Sequence, residues 1–242
     1  SSFQYTTLEG GNVPVEEIEQ ARQDLDERTF RQEYLATFET YANRIFYSFD
    51  RAHNIRAWED TIPDVVYVGM DFNIDPMSMI VFVRKGDDVY VVDEIEMHSS
   101  NTQEAVAELS ERYPGKRIWV YPDPACRQRK TSAGGATDLT ILQNAGFTVK
   151  VPNSHNPVRD GINAVNSKLC AASGQRSLFI DPKCRRLIEC LEKFSYKQGT
   201  SQPDKDSGYD HMADALRYAI DYMFPVRRAI EPEPPQRWGH KI

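Results

Sequence analysis

The chain has 242 residues, 40% of them hydrophobic and 27% charged, with a formal net charge of −7. That length and balance fit an ordinary soluble globular protein, able to bury one substantial core and to carry an additional arm. No apolar run approaches the roughly 20 residues that a membrane-spanning helix needs, and Ser1-Ser-Phe-Gln-Tyr5 lacks the basic and apolar regions of a signal peptide, so cytoplasmic synthesis and no membrane partner are expected.

The four cysteines, Cys126, Cys170, Cys184 and Cys190, form no Cys-x-x-Cys pair. Neither a zinc ribbon nor a thioredoxin-type site is therefore suggested, and the thiols read as small reduced hydrophobes or surface thiols. Charge is unevenly spread: residues 1–115 carry 9 basic and 23 acidic side chains, net −14, while 116–242 carry 20 basic and 13 acidic, net +7. A basic half with clusters such as Arg127/Arg129/Lys130 and Lys183/Arg185/Arg186 can meet a phosphate backbone locally although the whole chain is acidic. Solvated helix faces are the competing explanation.

Residues 1–60 read as an N-terminal helical arm or linker. Pro14 to Leu25 and Arg28 to Phe38 suggest two short amphipathic helices, the second with Phe30, Tyr34 and Phe38 at four-residue spacing, a packing stripe. Ile45 to Asp50 looks extended, and Thr61-Ile-Pro-Asp64 breaks the pattern before the main domain, expected over 61–225.

Val65 to Phe72 is an apolar, β-branched run that fits one central strand and delivers a single carboxylate, Asp71, at its C-terminal end. Asn73-Ile-Asp-Pro76 is a turn. Met79 to Arg84 and Val89 to Ile95, separated by a Gly-Asp turn, make a hairpin, so the first three strands predict an antiparallel meander. Asn101-Thr-Gln-Glu104 has capping-box spacing, opening a helix whose stripe is Ala105, Val106, Leu109 and Tyr113. Arg117 to Pro122 is a second buried strand that again finishes on a carboxylate, Asp123.

Strands and helices then alternate. Leu139 to Ala145 reads as a helix, Phe147 to Val151 as a strand, Val158 to Ala172 as a helix, and Leu178 to Ile180 as a short strand or extended linker. Asp181-Pro182 looks like the cap and opening of a helix running to Phe194. Gln198 to Gly208 is a polar loop, Asp210 to Phe224 a last helix, and 226–242 a Pro-rich tail. The expected fold class is α/β: one mixed sheet, an antiparallel three-strand meander plus parallel strands, with helices on both faces.

In such sheets ligands collect at the C-terminal ends of the strands, where Asp71 and Asp123 both sit. In the last helix Asp210 and Asp214 share a face, with His211 beside them. Capping of the helix N-terminus accounts for Asp210 comfortably; it accounts poorly for Asp214, in the second turn between alanines. If these carboxylates meet, they suit Mg²⁺ or Mn²⁺, two of which, roughly 4 Å apart, can serve phosphodiester cleavage.

Val68-Gly-Met-Asp-Phe-Asn-Ile-Asp-Pro76, Tyr121-Pro-Asp-Pro-Ala125 and Asp210-His-Met-Ala-Asp-Ala-Leu-Arg-Tyr-Ala219 resemble the three acidic motifs of the nuclease domain of tailed-phage terminase large subunits, a ribonuclease H-like domain related to the RuvC-type resolvases. The resemblance runs from Tyr34 to Tyr222, with the connector Gly161-Ile-Asn-Ala-Val-Asn-Ser-Lys-Leu169 and, just ahead of it, Phe30-Arg-Gln-Glu-Tyr34. It implies that Asp71, Asp123 and Asp214 are the catalytic metal ligands, Asp71 bridging two ions, with His211 or Asp210 as an auxiliary ligand. Asp75 would orient a metal or its water, or simply form the turn before Pro76; Glu94 points at the site or is an exposed edge glutamate. Arg127, Arg129, Lys130 and Arg159 are the candidates for holding the DNA backbone.

The implied function is a divalent-metal-dependent endodeoxyribonuclease that cuts concatemeric double-stranded DNA during viral genome packaging in the host cytoplasm, without residence in the mature virion. The implied partners are the terminase ATPase domain, the small terminase subunit and the portal or procapsid. The chain contains no Gly-x-x-x-x-Gly-Lys-Ser/Thr phosphate loop, so it is expected to be the nuclease part, with the end of a linker, of a longer chain whose ATPase motor lies elsewhere. A RuvC-like junction resolvase and a non-catalytic DNA- or procapsid-docking module remain the alternatives.

Overall fold

The computed structural model describes residues 13–35, 44–73, 75–127, 137–152 and 156–226. Two helices, α1 (Val15–Asp24) and α2 (Glu27–Tyr34), come first. Ile18, Ala21, Leu25, Phe30 and Tyr34 bury their apolar faces in a small cluster of their own, with the Phe30 and Tyr34 rings stacked at 5.2 Å. The third aromatic of that stripe, Phe38, lies outside the described residues. Backbone bonds from Ala172 to Leu25 and from Ser173 to Arg22 tie the cluster to the rest of the chain.

Residues 45–50 are not extended as the sequence suggested. Phe46 and Phe49 are both buried in the main core, and two residues three apart cannot face the same way along a strand. The chain turns instead, Phe49 N–H donating to the Phe46 carbonyl, and Asp50 caps the single turn α3 (Arg51–Asn54). Residues 44–60, expected within the arm, thus contribute Ile45, Phe46 and Phe49 to the main core.

The sheet starts at β1 (Val65–Asp71) and continues into β2 (Met77–Lys85) and β3 (Asp88–Met97), the antiparallel meander that the Gly-Asp turn predicted. Gly86, at φ 64°, supplies the left-handed backbone of that turn. Helix α4 (Thr102–Arg112) opens with the full Asn101/Glu104 capping box, and β4 (Arg117–Pro122) returns parallel to β1. Helix α5 (Asp138–Asn144), the two-residue β5 (Thr148–Val149), helix α6 (Val158–Leu169) and β6 (Leu178–Ile180) follow. Helix α7 (Arg185–Lys193) and the last helix, α8 (Asp210–Met223), complete the fold. The strand order is β5-β4-β1-β2-β3-β6.

Both faces of the sheet are covered, which is why its central strands read as continuous apolar runs. Val66, Val68 and Met70 pack with Leu109 of α4 and Leu142 of α5 on one face. On the other, Phe82 and Val91 pack with Val165 of α6, Leu187 of α7 and Leu216 and Ile220 of α8. Among the described residues no helix is long and apolar enough to cross a membrane. All four cysteines are free.

Helix α7 departs from expectation at its start. Asp181 does not cap it: its carboxylate accepts from the Lys183 and Trp58 amides, and the helix begins later, behind Cys184. Its exposed N–H groups are met by Glu94 of β3, whose two oxygens accept from Arg186 N at 2.9 Å and Leu187 N at 2.7 Å. Glu94 is therefore neither a site residue nor a solvated edge glutamate; it is a tertiary helix cap, favoured by the positive end of the α7 dipole.

Candidate active site

Asp71 is the last residue of β1, and the parallel strand β4 ends beside it. The Asp123 amide donates to the Met70 carbonyl at 2.9 Å, fixing the second carboxylate next to the first. Asp123 then accepts from Ala125 N through Oδ1 and starts a 3-10 turn over Pro124–Arg127.

The third carboxylate arrives because α8 lies almost in contact with β1. Gly69 and Asp71 are two residues apart and project to the same face. A Cβ on Gly69 would run into the Ala215 carbonyl and stand 3.2 Å from the Ala219 Cβ. A glycine on the strand and alanines at 213, 215 and 219 on the helix permit the approach, which carries Asp210, His211 and Asp214 to the end of β1.

Asp71 is only 4% exposed. Burial, then the charge of Asp214, and with a smaller share that of Asp123, push its pKa up to about 6, while His211 acts in the opposite direction. The Asn73 amide nitrogen donates to Asp71 Oδ2 at 2.8 Å and lies 2.5 Å from His211 Nδ1. The His211 ring lies between the two aspartates, Nδ1 3.3 Å from Asp71 Oδ2 and Nε2 3.7 Å from Asp210 Oδ1. Asp210 is buried and this oxygen has no hydrogen-bond partner among the described residues.

Asp214 is also buried, and its oxygens are divided: Oδ1 accepts from Arg217 Nε at 2.8 Å, and Oδ2 faces Lys205 Nζ at 3.2 Å. Among the described residues no three His, Cys, Asp or Glu side chains are grouped tightly enough to cage an ion as they stand. The physical reason is visible in these contacts, which turn Asp214 toward two cations and Asp71 toward an amide.

The other residues singled out by the sequence make different contacts where they are described. Asp75 is exposed and paired through Oδ1 with His98 Nδ1 at 2.6 Å, and Glu96 meets the other nitrogen of the same ring at 3.3 Å. Arg127 sits in the turn just past Asp123 and donates to the Val151 carbonyl. Arg159 bonds the Gln32 side chain. Arg129 and Lys130 lie outside the described residues. Four participants escaped the sequence reading: Gly69, Asn73, Lys205 and Arg217. Arg217 was the one with a readable signal, three residues after Asp214 on one helix.

Known proteins share this fold. A family model for the terminase RNase H-like domain matches residues 68–223. The large terminase subunit of Escherichia phage T5 is 24% identical over 241 residues, spanning 90% of this chain and 51% of the relative, so the chain covers about half of that protein. The large terminase of a thermophilic bacteriophage, solved in complex with ATP-γ-S, superposes with a TM-score of 0.70 at 18% identity, over 90% of this chain and 55% of that one. The large terminase nuclease of the thermophilic phage G20c, solved with bound magnesium, gives a TM-score of 0.54 at 13% identity, over 75% of this chain and 98% of that one. The mixed sheet is thus the ribonuclease H-like one, and the chain belongs to the terminase RNase H-like domain family.

Proposed function

We propose that Asp71, Asp123 and Asp214 form a divalent-metal centre with which this domain hydrolyses phosphodiester bonds of double-stranded DNA, cutting concatemeric genomes during packaging. The observation that carries this reading is the convergence of three carboxylates from β1, the end of β4 and α8, close enough that Asp214 and Asp123 both raise the pKa of Asp71. Like-charged groups brought together in a cleft are unfavourable without a cation to use them. The donor set fits one: carboxylate oxygens suit Mg²⁺ or Mn²⁺, and Asp210 offers a buried oxygen with no hydrogen-bond partner among the described residues. The G20c relative is a nuclease solved with bound magnesium.

Asp71, Asp123 and Asp214 would hold the metal, with His211 Nδ1 or Asp210 as auxiliary donors. When bound, a pair of such ions supplies positive charge for the leaving oxygen and a more acidic water. The chain's own residues do the rest. Asn73 orients Asp71. Lys205 Nζ, 3.2 Å from Asp214 Oδ2, offsets the charge of that carboxylate. A carboxylate of the cluster accepts the proton of the attacking water, which approaches phosphorus in line with the leaving oxygen. Arg127, next to Asp123, is the best placed of the basic residues to hold the DNA backbone, with Arg129 and Lys130 following it in sequence and Arg159 further off.

The ATPase motor, small subunit and portal or procapsid belong to the proposal as partners of the longer chain, acting together in the host cytoplasm. The T5 relative is roughly twice the matched length, and the thermophilic-phage large terminase, again about twice as long, was solved with ATP-γ-S. Incubation with supercoiled plasmid and Mn²⁺ tests the activity. Nicked and linear products from the wild type, and none from Asp71→Ala, are expected. Intact plasmid with both chains overturns the enzymatic reading, and a strong preference for four-way junctions over linear duplex moves the substrate to branched DNA.

A further inference from the structure

We infer that Arg217 is the positioning residue for the Asp214 carboxylate and that Gly161, on the neighbouring helix α6, is the slot through which it reaches that carboxylate. The inference rests on the metal centre proposed above and adds two residues to it.

Arg217 is 6% exposed, unusual for an arginine, and its Nε donates to Asp214 Oδ1 at 2.8 Å from one turn along α8. Its guanidinium carbon lies 4.5 Å from the centroid of the Tyr218 ring. The side chain runs against α6 at the one position there without a Cβ. A methyl group on Gly161 would stand 2.9 Å from Arg217 Cγ, 3.1 Å from Cδ and 3.3 Å from Nη1.

Cγ and Cδ lie between the two points that hold the side chain, its Cα on α8 and its Nε on Asp214. The collision cannot be relieved by swinging a free tip; it must be passed on to the hydrogen bond. Local preference opposes a glycine here, since in a helix interior it costs about 1 kcal/mol relative to alanine. The space it leaves for Arg217 explains its presence.

The consequence for the site is directional. With Arg217 Nε on Oδ1, Asp214 is held in one orientation and Oδ2 is the oxygen left on the side of Lys205, whose Nζ faces it at 3.2 Å. Fixing a ligand through a partner behind it is how metal sites restrict the geometry of their donors. Arg217 touches neither DNA nor metal in this scheme; it acts through Asp214.

The test is Mn²⁺ binding to the full chain without DNA, followed by electron paramagnetic resonance of the free ion, alongside thermal unfolding in EDTA. Asp71→Ala serves as the control for the metal centre. Arg217→Gln and Gly161→Ala are each expected to weaken Mn²⁺ binding by about tenfold or more. In Gly161→Ala the helix preference for alanine offsets part of the cost of displacing Arg217, so its loss of affinity should exceed what its unfolding temperature accounts for. The double variant should bind no more weakly than Arg217→Gln alone, because Gly161 acts only through Arg217.

Variants that bind Mn²⁺ as the wild type does overturn the positioning role while leaving the metal centre intact. So does a loss of affinity that appears only in step with a lowered unfolding temperature, which makes Arg217 a structural brace. A wild-type chain that binds no Mn²⁺, or binds it no better than Asp71→Ala does, overturns the metal centre and the inference with it.

Discussion

Asp214 on α8 stands close enough to Asp71 on β1 that, after burial itself, its charge is the largest influence raising the Asp71 pKa to about 6. A strand end and a helix turn distant in sequence are thus joined electrostatically as well as by packing.

The sign of that shift sets the pH dependence of the metal-free fold. A carboxyl group whose pKa is higher in the folded chain than its unfolded value of about 4 contributes stability that is complete below that value and is lost as pH rises through the folded one. A shift of two units corresponds to about 3 kcal/mol as an order of magnitude. In EDTA the chain is therefore expected to unfold at a higher temperature at pH 5 than at pH 8, after allowing for other titrating groups by comparison with Asp71→Asn. That variant should be more stable than the wild type at pH 8 and inactive. Equal unfolding temperatures of wild type and variant at pH 8 would contradict the assignment.

Metal should reverse the trend. Binding only to the folded chain stabilises it by about 2.7 kcal/mol at a hundredfold excess over the dissociation constant. Because protons and metal compete for Asp71, Mn²⁺ affinity should fall as pH drops below about 6. Isothermal titration at pH 5.5 and 7.5 measures this, and a pH-independent affinity would place the ion elsewhere.

Gly69→Ala is expected to be among the most damaging small substitutions in the chain. Its methyl group would meet the Ala215 carbonyl, a backbone atom of a packed helix that cannot step aside. Pushing α8 from β1 should destabilise the fold by about 3 kcal/mol or more and separate Asp71 from Asp214. Chemical denaturation measures the first effect and Mn²⁺ binding the second; a variant with wild-type values in both would show that the two elements have slack.

Glu94→Ala should separate the two effects, weakening the fold and sparing the site. Losing both acceptors at the start of α7 is expected to cost about 1–2 kcal/mol. Mn²⁺ affinity per folded molecule should stay unchanged, and a large loss of it would return Glu94 to the metal centre.

The parts of the site that could be read in advance are those with local grammar. Asp71 and Asp123 each end an apolar run, and Asp214 sits between alanines four residues after Asp210 on one helical face. The meander was legible from the Gly-Asp turn, and α4 from its capping box. What escaped depends on tertiary neighbours. Glu94 caps a helix 92 residues away, a pairing with no signature in either segment. Lys205 comes from a polar loop without periodicity. Phe46 and Phe49 look like strand residues until both are seen to need the same core, and Gly161 looks like a weak point in a helix until Arg217 is seen to fill the space beside it.

The most direct test of the central claim is a crystal grown or soaked in Mn²⁺ and measured for anomalous scattering. Manganese bound by Asp71, Asp123 and Asp214, with Lys205 withdrawn from Asp214, is the predicted result. Diffraction from a well-ordered site with no anomalous peak there, and with Lys205 still on Asp214, would contradict it.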